Sequence, residues 1–177
     1  MAILLHHWTV EDYHRIVEAG ILSESDCELL QGNIVDMPPE GPEHAHRCET
    51  TARYLERLLG DGWWSRQGKP ISLIDSEPQP DIALVREADY SDRHPSAEDV
   101  YLIVEYARTT QKQDKGIKRE IYAEAKIAHY LVVDLKEGCV IYYTNPMNRN
   151  YMKEQIFHTG IIQVGTISID VLKLLRS

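Results

Sequence analysis

The chain is predicted to be an α+β protein in which one mixed β-sheet is flanked by helices. Three observations point there. Helical and strand-like stretches alternate in the order αβ–αβββ–αβ, with further strands after them. Residues 43–59 carry apolar side chains three and four apart (Ala45, Cys48, Ala52, Leu55, Leu59), which is the helical period. Residues 100–107, "VYLIVEYA", form a run of aliphatics without polar alternation, as in a strand covered on both faces.

Taken in order, "WTVEDYHRIVEAG" opens with a Thr9-x-x-Asp12 capping pattern and closes at Gly20, a short amphipathic helix. "CELLQGNIVDMPPEGP" has two apolar runs about "QGN", a hairpin followed by a proline-rich turn. After the helix of 43–59 come three strand-like stretches, "WWSRQGKPISLID", "PDIALVRE" and "VYLIVEYA", the last two separated by the polar "ADYSDRHPSAED". "QKQDKGIKREIYAEAKIA" is the next helix, with Ile117, Ile121 and Ala125 along one face. "HYLVVDL", "CVIYYTN", "MKEQIFHTG" and "IIQVGTISI" read mostly as strands, and "DVLKLLR" as a closing helical turn.

Bulk properties narrow the function. A chain of 177 residues is expected to be one domain, 1–177, able to bury a core without staples. The net charge of -9 argues against indiscriminate coating of nucleic acid, yet leaves room for an acidic cluster that holds cations. Cys27, Cys48 and Cys139 lie far apart without a CxxC pair, as reduced thiols of a cytoplasmic protein do. "MAILLHHWTV" lacks the basic start and apolar length of a signal peptide. No stretch nears the ~20 apolar residues of a membrane span. A cytoplasmic location without a membrane partner is the expectation.

The residue that asks for an explanation is Glu105, inside the most apolar strand. Burying a lone carboxylate costs several kcal/mol in effective terms, so it must be paired, neutral or bound. If "PDIALVRE" and "VYLIVEYA" pair as an antiparallel hairpin, Asp81 at the start of one lies opposite Glu105 near the end of the other. Two carboxylates that close repel unless a cation sits between them, and a hard divalent ion with oxygen ligands is the natural occupant. The bland alternative makes Asp81 a turn cap after Pro80 and pairs Glu105 with Arg86 or Arg108. On the next helix Lys118 is four residues from Asp114 and four from Tyr122, bordering the apolar stripe, so its ammonium can reach over the sheet. An ordinary i,i+4 pair with Asp114, worth about 0.2–0.5 kcal/mol, is the competing role.

These stretches together resemble the Uma-type restriction-endonuclease family of the PD-(D/E)XK nuclease superfamily. The resemblance is carried by "ELLQGNIVDMPP", a histidine soon after in "GPEHAH", then "QPDIALVRE", "LIVEYARTT" and "QDKGIKREIYAEAKIAHYLVVDL". It implies a restriction-endonuclease-like mixed sheet between helices, and Mg²⁺-dependent hydrolysis of phosphodiester bonds in nucleic acid, DNA foremost, with Mn²⁺ able to substitute. Asp81 and Glu105 would be the metal ligands. The superfamily's lysine, normally two residues after the second carboxylate, is replaced here by Ala107, so Lys118 on the following helix would take its part. Glu28 matches the family's N-terminal glutamate and His44 a histidine that touches substrate or packs. The stretch 126–131, "KIAHYL", departs from the family's Gly-hydrophobic-x-Glu-Tyr-Trp pattern, a change expected to lie away from the chemistry. The rival expectation is a catalytically inactive binding or structural module on the same fold. A homodimer is expected on general grounds, with "CVIYYTN" and the C-terminal strands as the apolar edge.

Overall fold

The structure is a computed structural model that describes residues 5–24, 26–107 and 112–177, apart from the side chains of 112–115. Arg108, and the side chains of Lys112, Asp114 and Lys115, therefore lie outside the described residues.

Helix α1, Val10–Glu18, begins where its sequence says it should. The Thr9 hydroxyl accepts the Asp12 amide at 3.1 Å, and Asp12 Oδ2 accepts the Thr9 amide at 3.3 Å, which completes a capping box. Strands β1, Cys27–Leu30, and β2, Asn33–Asp36, pair antiparallel through the turn Gln31–Gly32. Both turn residues have positive φ, 49° and 72°, as a two-residue primed turn requires. A Cβ at Gly32 would also stand 2.8 Å from His7 Cβ, so only glycine fits. Helix α2, Pro42–Leu59, starts on a proline that has no amide to lose at that position, and it buries Cys48, Ala52 and Leu55.

Among the described residues, six strands make the central sheet: β3, Trp63–Arg66; β4, Ile82–Arg86; β5, Val100–Ala107; β6, His129–Asp134; β7, Cys139–Met147; and β8, Asn150–Phe157. Their spatial order is β3-β4-β5-β6-β7-β8, and β5–β6 is the parallel pair, connected across helix α3, Lys112–Glu124. The expected extra strands at the two ends form two separate two-stranded units. These are β1–β2 and the hairpin of β9, Ile161–Val164, with β10, Ile167–Asp170. Helix α4, Val171–Leu175, follows.

Side-chain alternation on β5 sorts the layers. Leu102, Val104 and Tyr106 join α2, α4 and the β9–β10 hairpin in one core. Ile103 and Ala107 join α3, Leu30 and Ile71 in the other. Glu105 has the parity of that second face, beneath α3.

Three expectations need correction. Residues 63–75 are not one strand, because Gly68, at φ 53°, and Pro70 interrupt the run; Trp63–Arg66 pairs as a strand and Ser72 makes only an isolated bridge to Ser96. On α3 the inward stripe is Lys118, Ile121 and Tyr122, while Ile117 is 39% exposed. The sequence misleads here because a lysine takes the place that an apolar residue marks in an ordinary amphipathic helix. The tyrosines of "CVIYYTN" are buried within the chain, and the sheet edge beside them is β8.

The corrected stripe makes a pair of substitutions diagnostic. Ile121→Ala is expected to cost about 2–5 kcal/mol, and Ile117→Ala less than about 0.5 kcal/mol, both read from urea unfolding midpoints.

Candidate active site

β4 and β5 pair as the antiparallel hairpin expected from the sequence. Ile82 pairs with Val104 and Ala83 with Ile103, which brings Asp81 opposite Glu105 at the end of the β4–β5 ladder. The two residues are tied directly: the Asp81 amide donates to Glu105 Oε2 at 3.4 Å, and Asp81 Oδ2 accepts the Tyr106 amide at 2.7 Å. Thus each carboxylate is held by the other residue's strand. His44, one turn into α2, places Nε2 2.9 Å from Asp81 Oδ1 and packs its ring edge-on against Tyr106.

From the other side comes α3. Lys118 Nζ lies 3.1 Å from Glu28 Oε2 and 3.5 Å from Glu105 Oε1, and donates to the Gln79 carbonyl at 3.3 Å. Gln79 in turn gives its amide to Glu28 Oε2 at 2.9 Å, so β1 and the segment entering β4 are fastened to one ammonium. One turn further along α3, the Tyr122 hydroxyl donates to Glu105 Oε1 at 2.8 Å. All five residues singled out in the sequence, Glu28, His44, Asp81, Glu105 and Lys118, line a single cleft of about 570 Å³.

Electrostatics follow from this enclosure. Burial pushes the Glu105 carboxyl up to about 7, partly offset by the Lys118 ammonium and reinforced by Asp81. Burial alone would pull Lys118 down, but Glu105 and Glu28 together hold it above the usual lysine range, so it stays an ammonium. Three carboxyl groups face one ammonium, which leaves the cleft short of positive charge. Their oxygens are hard donors opening on a polar cavity, and that donor set fits a hard divalent ion rather than a soft one.

Gln79 and Tyr130 are among the cleft residues that escaped the sequence reading. Gln79 had no motif to mark it, since its contribution is made by its backbone. Tyr130 lies in the stretch expected to be away from the chemistry, yet it lines the cleft. Its side chain is 1% exposed, and its hydroxyl is a buried polar atom without a hydrogen-bond partner among the described residues. The bland pairing of Glu105 with Arg86 is not what forms: the Arg86 guanidinium lies over the Trp63 ring at 5.7 Å.

A mixed sheet between helices, with this cleft at the end of its central hairpin, has the fold of a restriction-endonuclease-like nuclease. Over residues 10–168 the sequence matches the Uma2 family, described as "Putative restriction endonuclease", and the chain belongs to that family. Its fold is also similar to the crystal structure of a "putative nuclease belonging to DUF820" from Anabaena variabilis. That likeness has a TM-score of 0.71 at 13% identity and covers 95% of this chain and 97% of the other. No curated protein matches the chain in sequence. Among the described residues no helix is long and apolar enough to cross a membrane.

The raised carboxyl makes a signed prediction for the metal-free protein. Folded Glu105 titrates near 7 against an ordinary value of 4.5, so between these pH values the native state holds a proton that the unfolded chain has lost. Stability contributed by this group therefore falls as pH rises through that window. In excess chelator, the unfolding temperature of the parent relative to Glu105→Gln is expected to decline from about pH 4.5 to about 7 and then level off. Thermal unfolding of both proteins across pH measures it.

Proposed function

We propose that the chain is a Mg²⁺-dependent endonuclease that hydrolyses phosphodiester bonds of nucleic acid, with DNA the favoured substrate. The observation that carries this reading is the meeting of Asp81 and Glu105 across β4 and β5, in one cleft with the Lys118 ammonium. Asp81 and Glu105 would hold the divalent ion, and Mn²⁺ offers the same oxygen preference with less strict geometry. When bound, such an ion supplies Lewis-acid stabilisation of phosphate charge and a more acidic water.

The chain's own groups then have separable tasks. Tyr106 through its amide and His44 through Nε2 fix the two oxygens of Asp81, so that carboxylate presents its remaining lone pairs in one orientation. The Tyr122 hydroxyl holds Glu105 Oε1 and the Asp81 amide holds Oε2 in the same way. Lys118, kept charged by its neighbours, acts as a fixed positive group toward a phosphate oxygen or the attacking water, and not as a proton acceptor. Glu28 is a positioning residue that holds Lys118. His44, 14% exposed at the cleft wall, can also touch substrate.

A second reading, a binding module that has kept the fold without the chemistry, has one observation in its favour. The position two after Glu105, where the superfamily places its lysine, is the buried Ala107.

Two variants decide. Glu105→Gln is expected to weaken Mg²⁺ and Mn²⁺ binding by calorimetry while the far-UV spectrum stays folded; unchanged affinity would remove Glu105 from the metal site. Lys118→Ala is expected to keep the ion but lose about a hundredfold or more in divalent-dependent plasmid nicking. Equal nicking by parent and Lys118→Ala would take Lys118 out of the chemistry. Absence of metal-dependent cleavage by the parent, with nucleic-acid binding retained, favours the binding module.

A further inference from the structure

A second group of ligating side chains stands apart from the residues that line the cleft. His14 projects from α1, Glu77 from the segment between β3 and β4, and His94 from the loop between β4 and β5. Their donor atoms all lie within 4.8 Å of one another. His14 Nε2 is 2.8 Å from each Glu77 oxygen, and His94 Nε2 is 3.8 Å from Glu77 Oε1. A fourth donor reaches in from the cleft wall, since Glu24, itself a cleft-lining residue, places Oε1 3.4 Å from His94 Nε2.

Independent features show that this is a built site. The Glu77 side chain is 0% exposed, and among the described residues its ion-pair partners are the two imidazoles, with no lysine or arginine. A buried carboxylate without a permanent cation calls for a compensating charge. Its Oε2 accepts the Ser72 hydroxyl at 2.7 Å, the kind of outer hydrogen bond that orients a ligating carboxylate. The backbones are fixed as well. The Glu77 amide donates to the Leu29 carbonyl at 2.7 Å, and the Ser72 amide to the Pro95 carbonyl, next to His94, at 2.9 Å. Helix α1 is anchored by the Tyr13 hydroxyl on the Cys27 carbonyl at 2.8 Å. The imidazoles, 40% and 25% exposed, leave a route from solvent.

We propose that His14, Glu77 and His94 bind a borderline divalent transition ion, zinc being the best match, with Glu24 or a water as fourth ligand. Two imidazole nitrogens and one or two carboxylate oxygens are the donors such ions select, whereas magnesium prefers oxygen alone. Bonds of about 2.0–2.1 Å in a tetrahedron set ligand atoms about 3.3 Å apart. The 3.4 Å separation is close to that value, the 3.8 Å one has to close by about half an ångström, and the 2.8 Å contacts have to open by about as much. Each imidazole then carries its proton on Nδ1 and offers the Nε2 lone pair. The ion would pin α1 and the β4–β5 loop to the segment that leads, through Gln79, into Asp81.

The test uses the full chain, stripped with chelator and titrated calorimetrically with ZnCl₂ in the presence of excess Mg²⁺. One zinc per chain is expected, with affinity reduced more than about tenfold in His94→Ala and in His14→Ala. His44→Ala, which disrupts the other histidine-bearing cluster among the described residues, that of Glu40, His44 and Cys48, is expected to bind zinc as the parent does. Zinc should also raise the unfolding temperature of the parent and not of His94→Ala. Equal zinc affinity in parent and His94→Ala overturns the proposal, as does a loss found in His44→Ala instead; the trio is then a hydrogen-bonded staple only. If His14→Ala does not fold, the loop variant His94→Ala decides alone.

Discussion

The Lys118 ammonium is the point on which the cleft is assembled. It touches carboxylates from β1 and β5 and a carbonyl from the segment entering β4, while its own backbone belongs to α3. Ions taken out of water cost several kcal/mol each, and the cost is recovered only where the remaining donors and acceptors are also satisfied. Here they are: Glu28 has the Gln79 amide, Glu105 has the Tyr122 hydroxyl and the Asp81 amide, and Lys118 has the Gln79 carbonyl. Remove the ammonium and three carboxyl groups converge on one cavity with no lysine or arginine paired to them among the described residues. The N-terminal hairpin, which lies outside the six-stranded sheet, gains a polar tether to it through this one side chain.

How much of this could be read in advance depended on whether a signal was local or relational. The capping box of α1, the primed turn at Gln31–Gly32 and the proline start of α2 are local, and each sits where its residues put it. The Asp81–Glu105 pairing was legible because an antiparallel hairpin has a centre of symmetry in sequence, and the register honours it despite a shift between Leu84 and Val85. The outward turn of Ile117 on α3 was not, because periodicity scores lysine as polar while the fold turns Lys118 into the cleft. Nor was Tyr130, whose membership of the cleft is set by the parallel pairing of β6 with β5 across a helical crossover, where a neighbour in space is remote in sequence. Backbone contributions such as that of Gln79 leave no residue-type trace at all.

The tyrosines beneath the cleft link core packing to site chemistry. Tyr130 packs edge-on against Tyr122 and is stacked on Tyr143, and Tyr151 lies against both Tyr130 and Tyr143. This aromatic bed excludes water from the floor of the cleft, and burial is the leading reason that the Glu105 carboxyl is pushed up to about 7. The same packing that stabilises the α3 face of the sheet therefore makes the ionised site costly. A fold that concentrates negative charge over an apolar floor spends some stability there, and a bound cation returns it.

That electrostatic arrangement also orders the events on the proposed reading. The chain carries a net charge of -9, and within its cleft three carboxyl groups face one ammonium. A polyanionic substrate meeting such a surface gains little from long-range attraction, since steering of a phosphate backbone needs the opposite sign of field. Only when the carboxylates share a divalent ion does the cleft present a positive focus to a phosphate, with Lys118 beside it. The metal is then a condition of substrate binding as much as of hydrolysis, and affinity for nucleic acid should reside in the metal-loaded cleft more than in the surrounding surface.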